Sequence, residues 1–123
     1  MADIDAIVQS LAGSLRSGNA DAFIAYLAPG AILWHNDTRQ EVDAETTLRG
    51  IGTRLHLLRD REPDVVRASP TPDGFVVQFA LRGTVVATGK PVEMQNCIVM
   101  TLADDRVTRI EEYVDGTVAA QLS

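Results

Sequence analysis

PVEMQNCIVMTL, residues Pro91–Leu102, decides the fold, because from Met94 onward an apolar residue returns at almost every second position. A strand sends successive side chains to opposite faces, so Met94, Asn96, Ile98, Met100 and Leu102 share one face, while Glu93, Gln95, Cys97, Val99 and Thr101 share the other. The same period holds on both sides of this stretch. FVVQFALRGTVVATG (75–89) precedes it, RVTRIEEYV (106–114) follows, and DVVRAS (64–69) leads in through the turn PTPDG (70–74). These read as antiparallel strands joined by hairpins.

Before Pro63 the period becomes helical. Ile4, Ile7, Val8, Leu11 and Leu15 recur at helix spacing, with Asp3 or Asp5 to cap the start and Gly18 to end the segment. A second, short helix starts at Asn19 and carries Phe23, Tyr26 and Leu27 before Pro29-Gly30 breaks it. A strand over Ala31–Asn36 follows. A third helix is expected from about Asp43 to Arg59, with Leu48, Ile51, Leu55 and Leu58 as its apolar stripe despite Gly50 and Gly52, and with its arginines mostly on the outer side. Helices first and strands last predict an α+β domain in which a curved sheet folds against the long helix. Such a sheet leaves a cone with one open mouth, the kind of cleft that holds small molecules.

The composition fits one domain over residues 1–123: 46% hydrophobic and 23% charged residues support a single self-sufficient core. A net charge of -6, with no basic stripe, argues against a nucleic-acid partner or an anionic membrane surface. No apolar run is long enough to suggest a membrane span. The lone Cys97 has no partner for an intrachain disulfide, and the start MADIDAIVQSLAGSL bears aspartates where a secretion signal is basic; a cytoplasmic protein is expected. His35, His56 and Cys97 lack metal-ligand spacing, and no glycine-rich phosphate loop or nucleophile elbow is present, so neither metal nor cofactor is expected.

Two polar residues fall on apolar faces. Asn96 lies among Met94, Ile98 and Met100, and Glu112 lies between Ile110 and Val114. Val107 breaks the alternation of the last strand, so a bulge near its start decides which face Glu112 takes. A carboxyl group on an apolar face is disfavoured by desolvation in its charged form and is read as a proton donor; at a wet edge it would pair with Arg106 or Arg109 instead. His35 titrates near physiological pH and is read as its counterpart, whereas His56 is read as a surface residue. Alternation in the first strand separates Leu33 and His35 from Ile32, Trp34 and Asn36, so both sets reach a cavity only if the strand twists at its end.

The order of elements resembles the NTF2-like superfamily, in particular its SnoaL-like branch. GNADAFIAYLAPGAILWHN (18–36) is similar to that superfamily's second helix and first strand, and ADDRVTRIEEYVDGTVAAQL (103–122) to its final hairpin and tail. The resemblance implies a cone of three N-terminal helices packed in a curved antiparallel or mixed sheet. It also implies a homodimer formed through the sheet. Compared with limonene-epoxide-hydrolase relatives, Trp34 replaces a Tyr, Asn36 matches an Asn and Glu112 falls where an Asp is expected. Phe79, Ala80 and Leu81 stand where an Arg-x-Asp motif belongs, so epoxide hydrolysis is disfavoured. Compared with ketosteroid-isomerase relatives, His35 matches the base position, while Leu11 and Ile98 fall near the oxyanion donors and cannot donate. His35 with Glu112 comes nearest to the proton-transfer groups of the polyketide cyclases and related dehydratases.

The resulting expectation is a cofactor-independent cyclase, isomerase or dehydratase acting on a small, mostly apolar molecule. His35 is the expected base and Glu112 the acid; Asn36 and Asn96 are hydrogen-bonding groups, and Trp34, Met94, Ile98 and Phe79 contact the substrate. The competing expectation is a noncatalytic domain that binds an apolar ligand or a protein partner.

Overall fold

A computed structural model describes residues 3–120, apart from the side chain of Ala119. Residues 1–2 and 121–123 of the expected domain, including Gln121 and Leu122 of the tail pattern, lie outside the described residues.

α1 (Ile4–Ser17) begins where the Asp3 carboxylate accepts the Ala6 N–H. It ends where Gly18, in the left-handed region at φ +78°, donates its N–H to the Ser14 carbonyl. Its buried side Ile7, Val8, Ala12 and Leu15 faces the sheet. The second helix is a single turn, α2 (Asp21–Ile24), and the chain is already extended at Leu27, so β1 spans Leu27–His35 and runs through Pro29-Gly30. Gly30 has φ +75°, and the β1 register shifts between Leu27 and Ile32, so the expected breaker acts as a bulge inside a longer strand.

The expected helix from Asp43 to Arg59 is divided. After a short strand β2 (Glu41–Asp43), α3 (Ala44–Arg49) and α4 (Ile51–Leu55) are separated at Gly50, and Leu58 already opens β3 (Leu58–Thr71). Asp43 caps α3 by accepting the Thr46 N–H at 2.9 Å. Two features account for the interruption. The two glycines weaken the helix, and Gly52 comes so close to the end of α1 that a Cβ there would lie 2.7 Å from the Gly18 carbonyl oxygen. Arg61 then ties the junction together, its guanidinium donating to the carbonyls of Leu15, Arg16, Leu55 and Leu58 at 2.6–3.0 Å. Helical hydrogen bonding is thus replaced by charge-assisted bonds from one side chain.

β4 (Gly74–Val85), β5 (Pro91–Ala103) and β6 (Arg106–Val114) complete a six-stranded sheet of order β2-β1-β6-β5-β4-β3, followed by α5 (Gly116–Ala119). β3 to β6 are antiparallel neighbours, as their hairpin spacing predicts, and the parallel β1–β6 pair makes the sheet mixed. The expected bulge is at Thr108: Thr101 pairs with Arg109 but Leu102 pairs with Val107. It brings Val107, Ile110, Glu112 and Val114 to one face. That face and the helices enclose Phe23, Leu58, Phe75, Val77, Leu81 and Met100, each 2% exposed or less.

Candidate active site

A cavity of about 180 Å³ opens between the helices and the concave side of the sheet. Its lining is mostly aliphatic and aromatic, with Leu11 and Leu15 from α1 facing Met94, Ile98 and Met100 from β5. The polar residues in it are His35, Thr47, Arg54, Asn96 and Glu112.

His35 and Glu112 meet because of the parallel pairing. The two residues are partners in the β1–β6 register, so they occupy adjacent strands and the same face, and His35 Nε2 lies 3.4 Å from Glu112 Oε1. The other ring nitrogen, Nδ1, is bonded to the Asp37 carboxylate, which also accepts the Thr38 N–H. An imidazole is therefore held between two carboxylates. The hydrogen bond to Glu112 raises the proton affinity of His35 above the ordinary histidine value most strongly; burial opposes this, and the charges of Glu112 and Asp37 reinforce it. The side chains are 24% and 26% exposed, so the pair is shielded from bulk water without being sealed off.

Glu112 thus has apolar strand neighbours, as its position in the sequence predicts, but its partner is His35 rather than an empty apolar face. Arg109, the alternative partner, is on the opposite side of the sheet, bonded to Glu41 and Glu111. Asn96 is 7% exposed and donates Nδ2–H to the Met94 carbonyl at 2.9 Å. Met94, Ile98 and Phe79 line the cavity beside it, as expected from their strand faces.

Trp34 and Asn36 do not line the cavity, and the sequence expectation for them is corrected. Leu33 and His35 take the concave side of β1, so alternation turns Trp34 outward. There its ring meets Tyr113 at a centroid distance of 5.3 Å and an angle of 55°. Asn36 is occupied by the backbone: Nδ2 donates to the Val114 carbonyl at 3.2 Å, and Oδ1 accepts the Val114 N–H at 3.1 Å. Its side chain continues the β1–β6 ladder by one step beyond the end of β1.

Three site residues were not picked out in the sequence. Asp37 stands two positions after His35 at a strand end, a spacing that lets a carboxylate turn back to an imidazole. Thr47 and Arg54 follow from the helical repeat Thr47, Ile51, Arg54, which keeps one side despite the break at Gly50. His56 is exposed, as expected, with Nδ1 bonded to the Gly52 carbonyl. Among the described residues no three His, Cys, Asp or Glu side chains are grouped to hold a metal ion, and no helix is long and apolar enough to cross a membrane.

Residues 8–110 match the model of the SnoaL-like domain family. The fold is similar to that of wild-type IdmH of Streptomyces antibioticus, a candidate polyketide cyclase, at 19% identity over 98% of this chain and 97% of that one, with a TM-score of 0.79. A candidate SnoaL-like polyketide cyclase from Jannaschia sp. CCS1 is 18% identical over 99% of this chain and 94% of its own, with a TM-score of 0.75. An NTF2-like protein from Burkholderia thailandensis E264 is 18% identical over 99% and 98% of the two chains, with a TM-score of 0.79. No curated protein matches the sequence. The helices held in a curved six-stranded sheet and the match over most of the chain together make this protein a member of the SnoaL-like domain family, within the NTF2-like superfamily.

Proposed function

We propose that the protein is a cofactor-independent enzyme that moves protons on a small, mostly apolar molecule, in a cyclisation, isomerisation or dehydration. The observation that carries this reading is the His35–Glu112 pair, 3.4 Å apart at the polar end of an apolar cavity. Such a pair can take a proton from one atom of a bound molecule and deliver one to another. The raised proton affinity of His35 shifts the ring toward imidazolium relative to an ordinary histidine, which suits it to donate. We therefore assign the donor role to His35 and the acceptor role to Glu112, the reverse of the assignment expected from the sequence. Asp37 holds the ring so that Nε2 faces Glu112 and the cavity. Asn96 offers its amide to a substrate oxygen.

Exchange of carbon-bound hydrogen tests this reading with simple ketones in place of the natural substrate. Cyclohexanone, cyclooctanone and 1-decalone, incubated with the protein in D2O and followed by NMR, are expected to incorporate deuterium beside the carbonyl faster than in buffer. His35→Gln is expected to abolish the excess. A specific observation favours the binding-module alternative: Leu11 and Ile98 present hydrocarbon to the cavity where an oxyanion donor would stand in an isomerase of this superfamily. Ketones that bind but exchange no faster than in buffer would establish that alternative.

We also propose that the protein works as a homodimer through the outer side of the sheet. The support is the Trp34–Tyr113 pair, with Tyr113 44% exposed, and the half-buried Val76 and Val99 nearby on the same side. Sedimentation at micromolar concentration is expected to give a dimer, and Tyr113→Glu to shift it toward monomer by placing a charge in an apolar contact. A monomer in both samples would remove the proposal.

A further inference from the structure

Most arginines of this chain are committed. Arg16, Arg49, Arg82 and Arg109 hold carboxylates, and Arg61 and Arg106 hold backbone carbonyls. Arg54 has no side-chain partner among the described residues, although the sequence has 17 acidic residues against 11 basic ones. Arg39 and Arg67 also lack one, but they are not in the cavity lining. Arg54 is, and its position follows from geometry: Thr47, Ile51 and Arg54 fall at helical spacing on the side of α3 and α4 that also carries Leu48 and Leu55 toward the cavity. The residue is exposed, so its guanidinium stands where the apolar lining reaches solvent.

The opposite charge balance holds at the polar end formed by β1 and β6. There Asp37 and Glu112 place two carboxylates around one imidazole, which repels an anion. An amphipathic acid entering this cavity thus has one favourable orientation. Its hydrocarbon part fills the apolar interior beside His35 and Glu112, and its anionic group stays at the mouth against Arg54. The planar guanidinium suits a carboxylate in particular, through two parallel N–H bonds.

From the unpaired guanidinium at the cavity mouth we infer that the substrate is an apolar molecule bearing a carboxylate, and that Arg54 anchors that group and orients the reacting carbon toward His35 and Glu112. This deepens the enzyme reading and rests on the cavity being the binding site.

Octanoate and 1-octanol, which share a chain and differ in charge, separate these claims by isothermal titration calorimetry at pH 8 and low ionic strength. Octanoate is expected to bind about tenfold more tightly than 1-octanol, and the two to compete for one site. Arg54→Gln is expected to weaken octanoate by about tenfold while leaving 1-octanol within about twofold, and Arg54→Lys, which keeps the charge but not the two parallel N–H bonds, to retain only part of the preference. An Arg67→Gln control, the same change of charge at an arginine outside the cavity lining, is expected to keep the preference. Melting curves verify that each variant is folded. If 1-octanol binds and octanoate gains nothing over it, or if Arg54→Gln binds octanoate as the parent does, the anchor is overturned and the cavity reading stands. If octanoate and 1-octanol bind without competing, the anion sits elsewhere and the anchor is again overturned. If neither ligand binds, the cavity reading falls and the anchor with it.

Discussion

Glu112→Gln is expected to slow deuterium incorporation into a bound ketone by a factor of about 10²–10⁴, the usual contribution of a positioned acid or base. Gln keeps the shape and the hydrogen-bonding reach of the residue, so the cavity is preserved while the carboxylate that takes the proton is lost. The same substitution changes stability in a way that an inert surface residue cannot. The hydrogen bond that His35 Nε2–H donates to Glu112 is the leading cause of the raised proton affinity of His35. A group whose folded-state pKa lies above its unfolded value of about 6.5 contributes stability that is complete below that value. The contribution is lost as pH rises through the higher, folded value. The parent protein should therefore lose stability between about pH 6.5 and the raised folded value, and Glu112→Gln should flatten the decline. Asp37 continues to hold Nδ1, so part of the slope should survive in Glu112→Gln and disappear only in His35→Gln. Denaturant melts of the three proteins from about pH 5.5 to pH 8.5 measure this directly. A parent profile that is flat, or that rises with pH, would remove the imidazolium from the proposed mechanism.

Gly74→Ala is expected to be the most destabilising single methyl group that can be added among the described glycines, at more than about 4 kcal/mol. Gly74 opens β4 and pairs with Thr101 of β5. A Cβ at this position would lie 1.9 Å from the Met100 carbonyl oxygen and 2.9 Å from its carbonyl carbon. Both obstacles are backbone, so no side-chain rotation relieves the overlap, and the two strands must part. They part beside Phe75 and Met100, which are 0% and 1% exposed, so the disturbance enters the core and the cavity wall together. Gly13→Ala supplies the contrast: nothing lies within 4 Å of its added Cβ, and it is in α1. It should stabilise the protein by about 0.5–1 kcal/mol through helix propensity. Urea melts of both variants test the pair of expectations, and a Gly74→Ala protein as stable as the parent would mean that β4 and β5 do not approach so closely.

Periodicity is a local property, and what depends on it was legible in the amino-acid sequence. The alternation from Phe75 to Val114 established the hairpin order and placed Asn96, Ile98 and Glu112 on the concave side; even the bulge was announced by Val107 out of phase. Asp3 and Gly18 likewise bounded α1, because a cap and a left-handed glycine act within one turn of chain. Relations between distant segments were decided only in the tertiary structure. The Asp43 to Arg59 pattern is helical along its length, but the close approach of Gly52 to the end of α1 and the carbonyl bonds of Arg61 favour two short helices and an early strand. Arg54, on the side shared with Thr47 and Ile51, lines the cavity instead of facing outward with the other arginines of the segment. The inward side of β1 was equally undetermined, since Leu33 with His35 and Trp34 with Asn36 alternate equally well. Burial of Leu33 and the parallel pairing with β6 chose the first set, and so brought His35 to Glu112 while turning Trp34 to Tyr113. The sequence by itself determined the α+β architecture and the inward residues of β4, β5 and β6, because side-chain alternation follows from backbone geometry alone. The tertiary structure decided which of the remaining polar residues meet, because their pairing depends on a register between strands far apart in the chain, which only the packed core selects.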